Sequence, residues 1–449
     1  MLVKQAELEG LVDPCCVARS LRRPGSAALL LDGREFPDAW QSGPLIALEP
    51  EQLFSARGPD AARGLLADLD SLVRHRRAAG GTAETGLAVL LAYDLFEPGD
   101  PVEARLPRIV VLGVDRSLRF TSSDAARLTI RAEGSTGSTD DLGLSLWVDR
   151  LGSIDPSAVP EPAARGVDRP RTSLPREKYL RAVQQVQRHI RRGDIYQANL
   201  TQRFEQDYRG DPFELFSHLT ASLPSPHTAY FETPEFALAS ISPERFLCMR
   251  SPGELETWPI KGTRPRRARP EDDQAAAREL LDSAKDRAEL LMIVDLERND
   301  LSRVCKVGSV GVRELAALRS YPTVHHLVAQ VEGRLREGTG AVELLEATFP
   351  GGSITGAPKL RAMQILRELE PVSRNFFTGS LLWFGDDGTL DSSILIRSLV
   401  FDSKRVFLGA GGGIVADSEP EAEWEESNHK ARGLANALGF EPREAGENS

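Results

Sequence analysis

The chain has 449 residues, 41% hydrophobic and 27% charged, which suffices for a large buried core and, by length, for two or three domains. A net charge of −11 and a pI near 5.4 exclude the cationic face of a nucleic-acid binder, and an anionic substrate needs local lysines, arginines or a metal ion. Cys15, Cys16, Cys248 and Cys305 have neither disulfide-framework nor zinc-site spacing, MLVKQAELEGLVDP lacks a signal-peptide core, and no apolar run is long enough to span a bilayer; a cytoplasmic chain without membrane contact is expected.

In chain order, residues 1–151 alternate short apolar strands (SAALLLD, LPRIVVLGV, ARLTIRA) with helical stretches such as AARGLLADLDSLVRHRRAA. Residues 152–173 are rich in Pro, Ala and Gly and read as a linker. A helix follows from about Arg176 to Arg192, then GDIYQANLTQRFEQDY. From there to residue 441 many strands are joined by short turns (FALASISPERFLCM, ELETWPI, FFTGSLLWFGDDGTLDSSILIRSLVF, RVFLGAGGGIV), which favours antiparallel pairing and an α+β fold. Residues 442–449 form a tail.

Within this second region PIKGTRPR (259–266) sets Lys261 ahead of Arg264, Arg266 and Arg267; its own sequence context reads as a surface lysine. SAKDRAELLMIVDLERNDL predicts a helix over 283–301, with Asp286 and Glu289 three apart on a face continued by Ile293 and Leu296. His325 and His326 are adjacent, so on a strand they point to opposite faces and at most one serves a given site. TFPGGSITGAPKLRAMQIL puts a Gly-rich turn before a helix, a geometry that offers backbone N–H groups to an anion. Ala357-Pro358 stand where a Walker A loop needs Lys-Ser/Thr, which disfavours a nucleotide hydrolase.

Arg397 lies in the apolar strand pattern SSILIRSLVF, where a buried guanidinium needs a carboxylate from the protein or from a ligand. GAGGGI (409–414) leads into Ile-Val rather than a helix, so it either serves a turn with positive φ or lets a ligand approach the backbone. A last helix opens at DSEPEAEWEESNHKARGLANALG, with Ser418 and Glu421 as a capping box and Gly439 as a stop. Glu423 and Glu426 form its carboxylate pair, with Lys430 one turn on. Alone each pair is a solvated acidic face; the two pairs meeting across a cleft supply hard oxygen ligands for Mg²⁺.

GDIYQANLTQRF, ISPERFL, PIKGTRPR, DRAELLMIVDLERNDLSRV, TFPGGSITGAPK, ILIRSLVF, GGGIVADS and EAEWEESNHKA together resemble the motifs of the chorismate-binding enzymes, in that family's order from Gly193 to about Ala431. The resemblance implies two large, mostly antiparallel β-sheets packed as a sandwich with helices outside. Residues 1–151 would form the N-terminal part with a candidate regulatory pocket, and 174–441 the catalytic region. It also implies Glu289 and Glu426 as principal Mg²⁺ ligands supported by Asp286 and Glu423. Arg397 would hold the enolpyruvyl carboxylate. Thr263, Ser353, Gly356, Gly411, Gly413 and Lys430 would be further substrate contacts, His326 the histidine near the C4 oxygen, and Glu244 the general acid.

Lys261 stands where anthranilate synthases have alanine, and in this it is similar to the aminodeoxychorismate synthase branch. That branch implies a lysine nucleophile at C2 of chorismate, made neutral with the help of nearby cations and the metal, and amination by ammonia to 4-amino-4-deoxychorismate. No cysteine has the Gly-x-Cys-x-Gly context of a glutaminase, so a separate glutamine amidotransferase subunit is the expected ammonia source, in a heterodimer. Anthranilate synthase component I and a catalytically silent ligand-binding subunit are the alternatives. Phe377 replaces a usual tyrosine, and Leu382-Trp383 a usual Gly-Tyr.

Overall fold

The strand Gly86–Leu91 is apolar at nearly every position because both of its faces are covered. In the computed structural model Leu87, Val89 and Leu91 pack beneath a layer of helices, while Ala88 and Leu90 pack against a second sheet. In Ala28–Asp32, Leu29 and Leu31 likewise enter the inter-sheet core and Leu30 the helix-covered core on the other side. The structure describes residues 2–445 apart from 11–12, 34–35, 37–38, 42, 98–105, 123–124, 133–143, 155–165, 167 and 403. Most of the expected linker (155–165 and 167) and the end of the expected tail (446–449) therefore lie outside the described residues.

Two antiparallel sheets, of twelve and ten strands, form the sandwich. The twelve-stranded sheet runs in the order Leu2–Glu9, Ala125–Ala132, Arg116–Phe120, Leu45–Ala47, Ala28–Asp32, His227–Glu232, Ala237–Ser242, Ser398–Phe401, Arg405–Ile414, Gln197–Asp207, Gly356–Ala357, with Arg171–Thr172 also on Gln197–Asp207. The ten-stranded sheet runs Ile260–Pro265, Val324–Arg334, Glu254–Thr257, Arg245–Ser251, Leu390–Ile394, Ser380–Gly385, Gly86–Leu91, Ile109–Val114, Glu51–Ala56, with Gly311–Ser320 on Val324–Arg334. Strands from before and after residue 174 interleave in both sheets: Ala28–Asp32 pairs with His227–Glu232, and Gly86–Leu91 with Ser380–Gly385.

Helices cover the outer faces. Pro59–Ala78, Ala284–Ser302 and Ala341–Thr348 lie on the ten-stranded sheet, and Pro212–Ser222 and Pro420–Leu438 on the twelve-stranded one. The helix expected over 283–301 spans Ala284–Ser302, capped by the Ser283 side chain on the Asp286 N–H. The capping box expected at Ser418 and Glu421 does not form. Pro420 opens the helix one residue later, Glu419 is the cap residue, and the Ser418 hydroxyl accepts from Val415 N and donates to Glu423 Oε1 at 2.6 Å. Gly439 ends the helix in the left-handed conformation, φ 88°. Among the described residues no helix is long and apolar enough to cross a membrane, and the four cysteines are buried and form no disulfide.

A fragment beginning at residue 174 is expected not to fold cooperatively. It leaves edges of His227–Glu232 and Ser380–Gly385 unpaired and removes Leu29, Leu31 and Leu90 from the inter-sheet core. Urea titration followed by circular dichroism checks this; a transition as steep as that of the full chain would contradict it.

Candidate functional site

The chain passes from one sheet to the other at two adjoining places, and each carries a residue singled out in the sequence. Glu244 lies between Ala237–Ser242 of the twelve-stranded sheet and Arg245–Ser251 of the ten-stranded sheet. Arg397 lies between Leu390–Ile394 and Ser398–Phe401, so the expected single strand over SSILIRSLVF is broken at 395–397, where Arg397 takes a φ of 51°. The crossings bind each other. Ile394 N donates to Glu244 O at 3.0 Å, Ile241 N to Arg397 O at 3.0 Å, and the Ser242 hydroxyl to Ile394 O at 2.5 Å. Among the described residues no carboxylate or carbonyl pairs with the Arg397 guanidinium, and burial alone pushes its pKa down.

Lys261 is partly buried on the edge strand Ile260–Pro265, and its Nζ donates to the Ser353 carbonyl at 3.2 Å. Burial lowers its pKa, aided by the Lys430 charge and opposed by Glu244, Glu289 and Glu426. Of the cations near Lys261, Lys430 is the one that lowers it, while two arginines of PIKGTRPR are paired with carboxylates. Arg264 binds Glu279 and Asp286, and Arg266 binds Asp273, so their charges are spent on carboxylates. Glu244 is buried, and burial raises its pKa against the nearby Ser353 hydroxyl and Lys261 ammonium. Its Oε1 and the Ser353 Oγ are buried without a hydrogen-bond partner.

Thr263 pairs with His326 across the strands, and its hydroxyl meets His326 Nδ1 at 2.9 Å. Tyr321, which the sequence did not single out, packs its ring edge-on to His326 with centroids 5.6 Å apart. His325 points to the other face and engages Ser320 and Asp273, so only His326 shares a face with Thr263.

The two carboxylate-bearing helices face each other. The charge of Lys285 acts on Glu423 and Glu426, and that of Glu426 on Glu289. Burial raises Glu289, with Asp286 and Glu426 adding to the rise; burial likewise raises Glu423. Glu426 is lowered by Lys430, whose Nζ sits 2.6 Å from its Oε1 and 3.1 Å from the Gly411 carbonyl. Asp286 is held by Arg264 at 3.2 Å. Among the described residues no three carboxylate, histidine or cysteine side chains converge as a metal cage. A hard divalent cation fits this set nonetheless: magnesium uses one or two carboxylates and fills its other positions with water or substrate oxygens, and Glu289 and Glu423 are carboxylates whose burial a cation would relieve.

The glycines of GAGGGI lie inside the strand Arg405–Ile414 and none has positive φ, which removes the turn explanation. They serve close approach. A Cβ on Gly411 would fall 2.2 Å from the Leu200 carbonyl, one on Gly413 2.3 Å from Gln197 Nε2, and one on Gly412 3.1 Å from Glu423 Oε2. Gly356 combines φ 155° with a Cβ position 2.3 Å from the Gln197 carbonyl. The Phe377 ring occupies the space where Gly409 lacks a side chain, with ring carbons 2.2 Å from the Cβ position. Leu382 packs in the helix-covered core, whereas Trp383 lies between the sheets and donates to Ala83 O at 3.0 Å.

A family model described as chorismate binding enzyme matches residues 29–436. Aminodeoxychorismate synthase component 1 of Klebsiella aerogenes is 48% identical over 268 residues, covering 60% of this chain and 59% of that protein. Anthranilate synthase component 1 of Aquifex aeolicus is 41% identical over 268 residues, covering 60% of this chain and 54% of that protein. The chain thus spans less than three fifths of the length of these curated relatives. Among solved structures, anthranilate synthase component I from Streptococcus pneumoniae TIGR4 matches with a TM-score of 0.69 at 28% identity, over 78% of this chain and 80% of that one. With its two-sheet sandwich and the motif residues gathered where the chain crosses between the sheets, the chain belongs to the family of chorismate binding enzymes.

Proposed function

We propose that this chain aminates chorismate with ammonia to give 4-amino-4-deoxychorismate, using ammonia delivered by a separate glutamine amidotransferase subunit. The observation that carries the reading is Lys261, an amine whose burial favours the neutral form, beside the buried carboxyl of Glu244. The 48% identity to an aminodeoxychorismate synthase component 1 supports it.

In this reading neutral Lys261 Nζ forms a bond to C2, and the two conjugated ring double bonds each shift one position (C1=C2 to C1=C6, C5=C6 to C4=C5). The C4–O bond breaks, the hydroxyl departing as water with a proton from Glu244, which then takes the proton left on Nζ. Ammonia then bonds to C4, both double bonds shift back, and the Lys261–C2 bond breaks as Glu244 protonates Nζ and in turn takes a proton from the new C4 ammonium. Arg397 binds the enolpyruvyl carboxylate as a charge-assisted pair, and His326, held by Thr263, lies by the C4 oxygen. Ser353, Gly356, Gly411 and Gly413 shape the ring's seat, and Lys430 fixes Glu426. Glu289 and Glu426, supported by Glu423 and Asp286, would hold Mg²⁺, which supplies a counter-charge for the ring carboxylate when bound.

The 41% identity to an anthranilate synthase component 1 favours a second reading, in which pyruvate is also lost. Mass spectrometry of the purified chain with chorismate, Mg²⁺ and ammonium separates the two. The expected product retains the enolpyruvyl group, and none forms with glutamine in place of ammonium; anthranilate and pyruvate would sink the proposal. Lys261→Ala should abolish detectable product. Glu244→Gln should lower kcat by about 10²–10⁴-fold. Arg397→Ala should raise KM by about 10–100-fold through loss of a charge-assisted hydrogen bond.

The pH profile has a fixed sign. The reactive form of Lys261 is the neutral amine and burial lowers its pKa, so the acid limb of kcat/KM should rise with pH and end below the ordinary lysine pKa of about 10.4, while loss of the Glu244 proton sets an alkaline limb. A rise that continues past that value would mean that Lys261 is an ordinary solvated lysine.

A further inference from the structure

The helix Ala284–Ser302 carries a third carboxyl on the inner stripe that continues beyond Glu289 and Ile293, and no role has been given to it above. Glu297 is buried at 5% exposure, and the hydrogen bond it receives is from a neutral group, the Thr257 hydroxyl, to Oε2 at 3.1 Å. The neighbouring cation, Lys359, is committed to Asp300 Oδ2 at 2.5 Å and to the Thr348 carbonyl at 2.9 Å. Leu296 and Glu297 fill the space beside Gly352, where a Cβ would lie 2.9 Å from Leu296 Cδ2 and 3.4 Å from Glu297 Cγ. The turn they support, Gly352–Ile354, presents the Ser353 carbonyl to Lys261 and the partnerless Ser353 hydroxyl near Glu244.

We propose that Glu297 is a positioning residue for the amination, linked to Glu244 through the turn Gly352–Ile354 that it packs against, so that the two carboxyls hold at least one proton between them. The charged groups that act on Glu297 are Glu244 from the sheet crossing, Asp300 one turn along its own helix, and Lys359 from the helix Lys359–Leu369. Burial and the two carboxylates push its pKa well up, and Thr257 and Lys359 oppose them less. Two carboxyls that repel one another titrate as a pair. Whenever Glu297 ionises, its charge strengthens the grip of Glu244 on its own proton, and Glu244 must be protonated to act as an acid. The inference rests on the amination reading for its catalytic consequence, though not for the protonation of Glu297.

Two measurements on the full chain test it. Infrared spectroscopy at neutral pH should show protonated-carboxyl C=O absorption, one component of which is lost in Glu297→Gln and the other in Glu244→Gln. The Glu297→Gln variant keeps an acceptor for Thr257 and adds no charge. The alkaline limb of its kcat/KM profile should move to lower pH by about one unit, with the acid side unchanged. Protonated-carboxyl absorption of unchanged intensity in Glu297→Gln would show that Glu297 is ionised, and superimposable pH profiles would reduce it to a structural role; either result overturns the proposal. If Glu297→Gln does not fold, Thr257→Val keeps the carboxyl and removes its hydrogen bond, so the Glu297 component must shift, and an unmoved component overturns the proposal. The infrared result needs no turnover, so it stands or falls separately from the amination reading.

Discussion

A strand that leaves one sheet for another loses its ladder partners for two or three residues, and those backbone groups must be satisfied inside the sandwich. Here two such crossings lie side by side and satisfy one another through Ile394 N to Glu244 O and Ile241 N to Arg397 O. The rest of the site depends on that mutual arrangement. It sets Glu244 and Arg397 on backbone anchored by both sheets, which positions side chains more firmly than a surface loop does. Arg397 takes a positive φ that a bulky residue adopts only at a cost of about 1–3 kcal/mol, tolerated where the surroundings fix it.

The burial that makes the sandwich stable also sets the site's electrostatics. Desolvation is the largest influence on Lys261, Glu244, Glu289, Glu423 and Arg397, pushing the bases down and the acids up. Glu426, the most exposed of these carboxylates, goes the other way because Lys430 is bound to it. Such a cluster is a marker of chemistry rather than of stability, since most of these groups lack the ion-pair geometry that repays burial. A dianionic ligand with a divalent cation would bring the charges that this set lacks.

Most of the scaffold could be read from local pattern. The helix over Ala284–Ser302 followed from Ser283 and the inner stripe, the end of Pro420–Leu438 from Gly439, and the antiparallel class from short turns. The opposed faces of His325 and His326 followed from the two-residue period of a strand. What escaped depended on contacts distant in the chain. The break at Arg397 has no turn signal in SSILIRSLVF, because the crossing is imposed by Ile241 and Ser242 some 150 residues away. The fate of Arg264 and Arg266 was set by Glu279, Asp286 and Asp273, carboxylates outside PIKGTRPR that its local pattern does not reveal. Glu297 did leave a trace, since it sits four residues after Ile293 on the buried stripe, where a carboxyl calls for an explanation.

Lys261 shows why the local reading of a lysine is so weak. Within PIKGTRPR it looks solvated, yet the groups that govern it, Glu244, Ser353 and Lys430, come from three other parts of the chain. Burial pushes the amine and the carboxyl of Glu244 toward their neutral forms, while their mutual attraction pulls both toward the ion pair. Passing one proton from Lys261 to Glu244 leaves the net charge of the slot unchanged, and burial favours the neutral pair that results. The product of that transfer is a neutral amine beside a protonated carboxyl. Those are the two forms that the proposed nucleophile at C2 and the proposed acid at the C4 hydroxyl would each require, and one buried pair would supply both at the same pH.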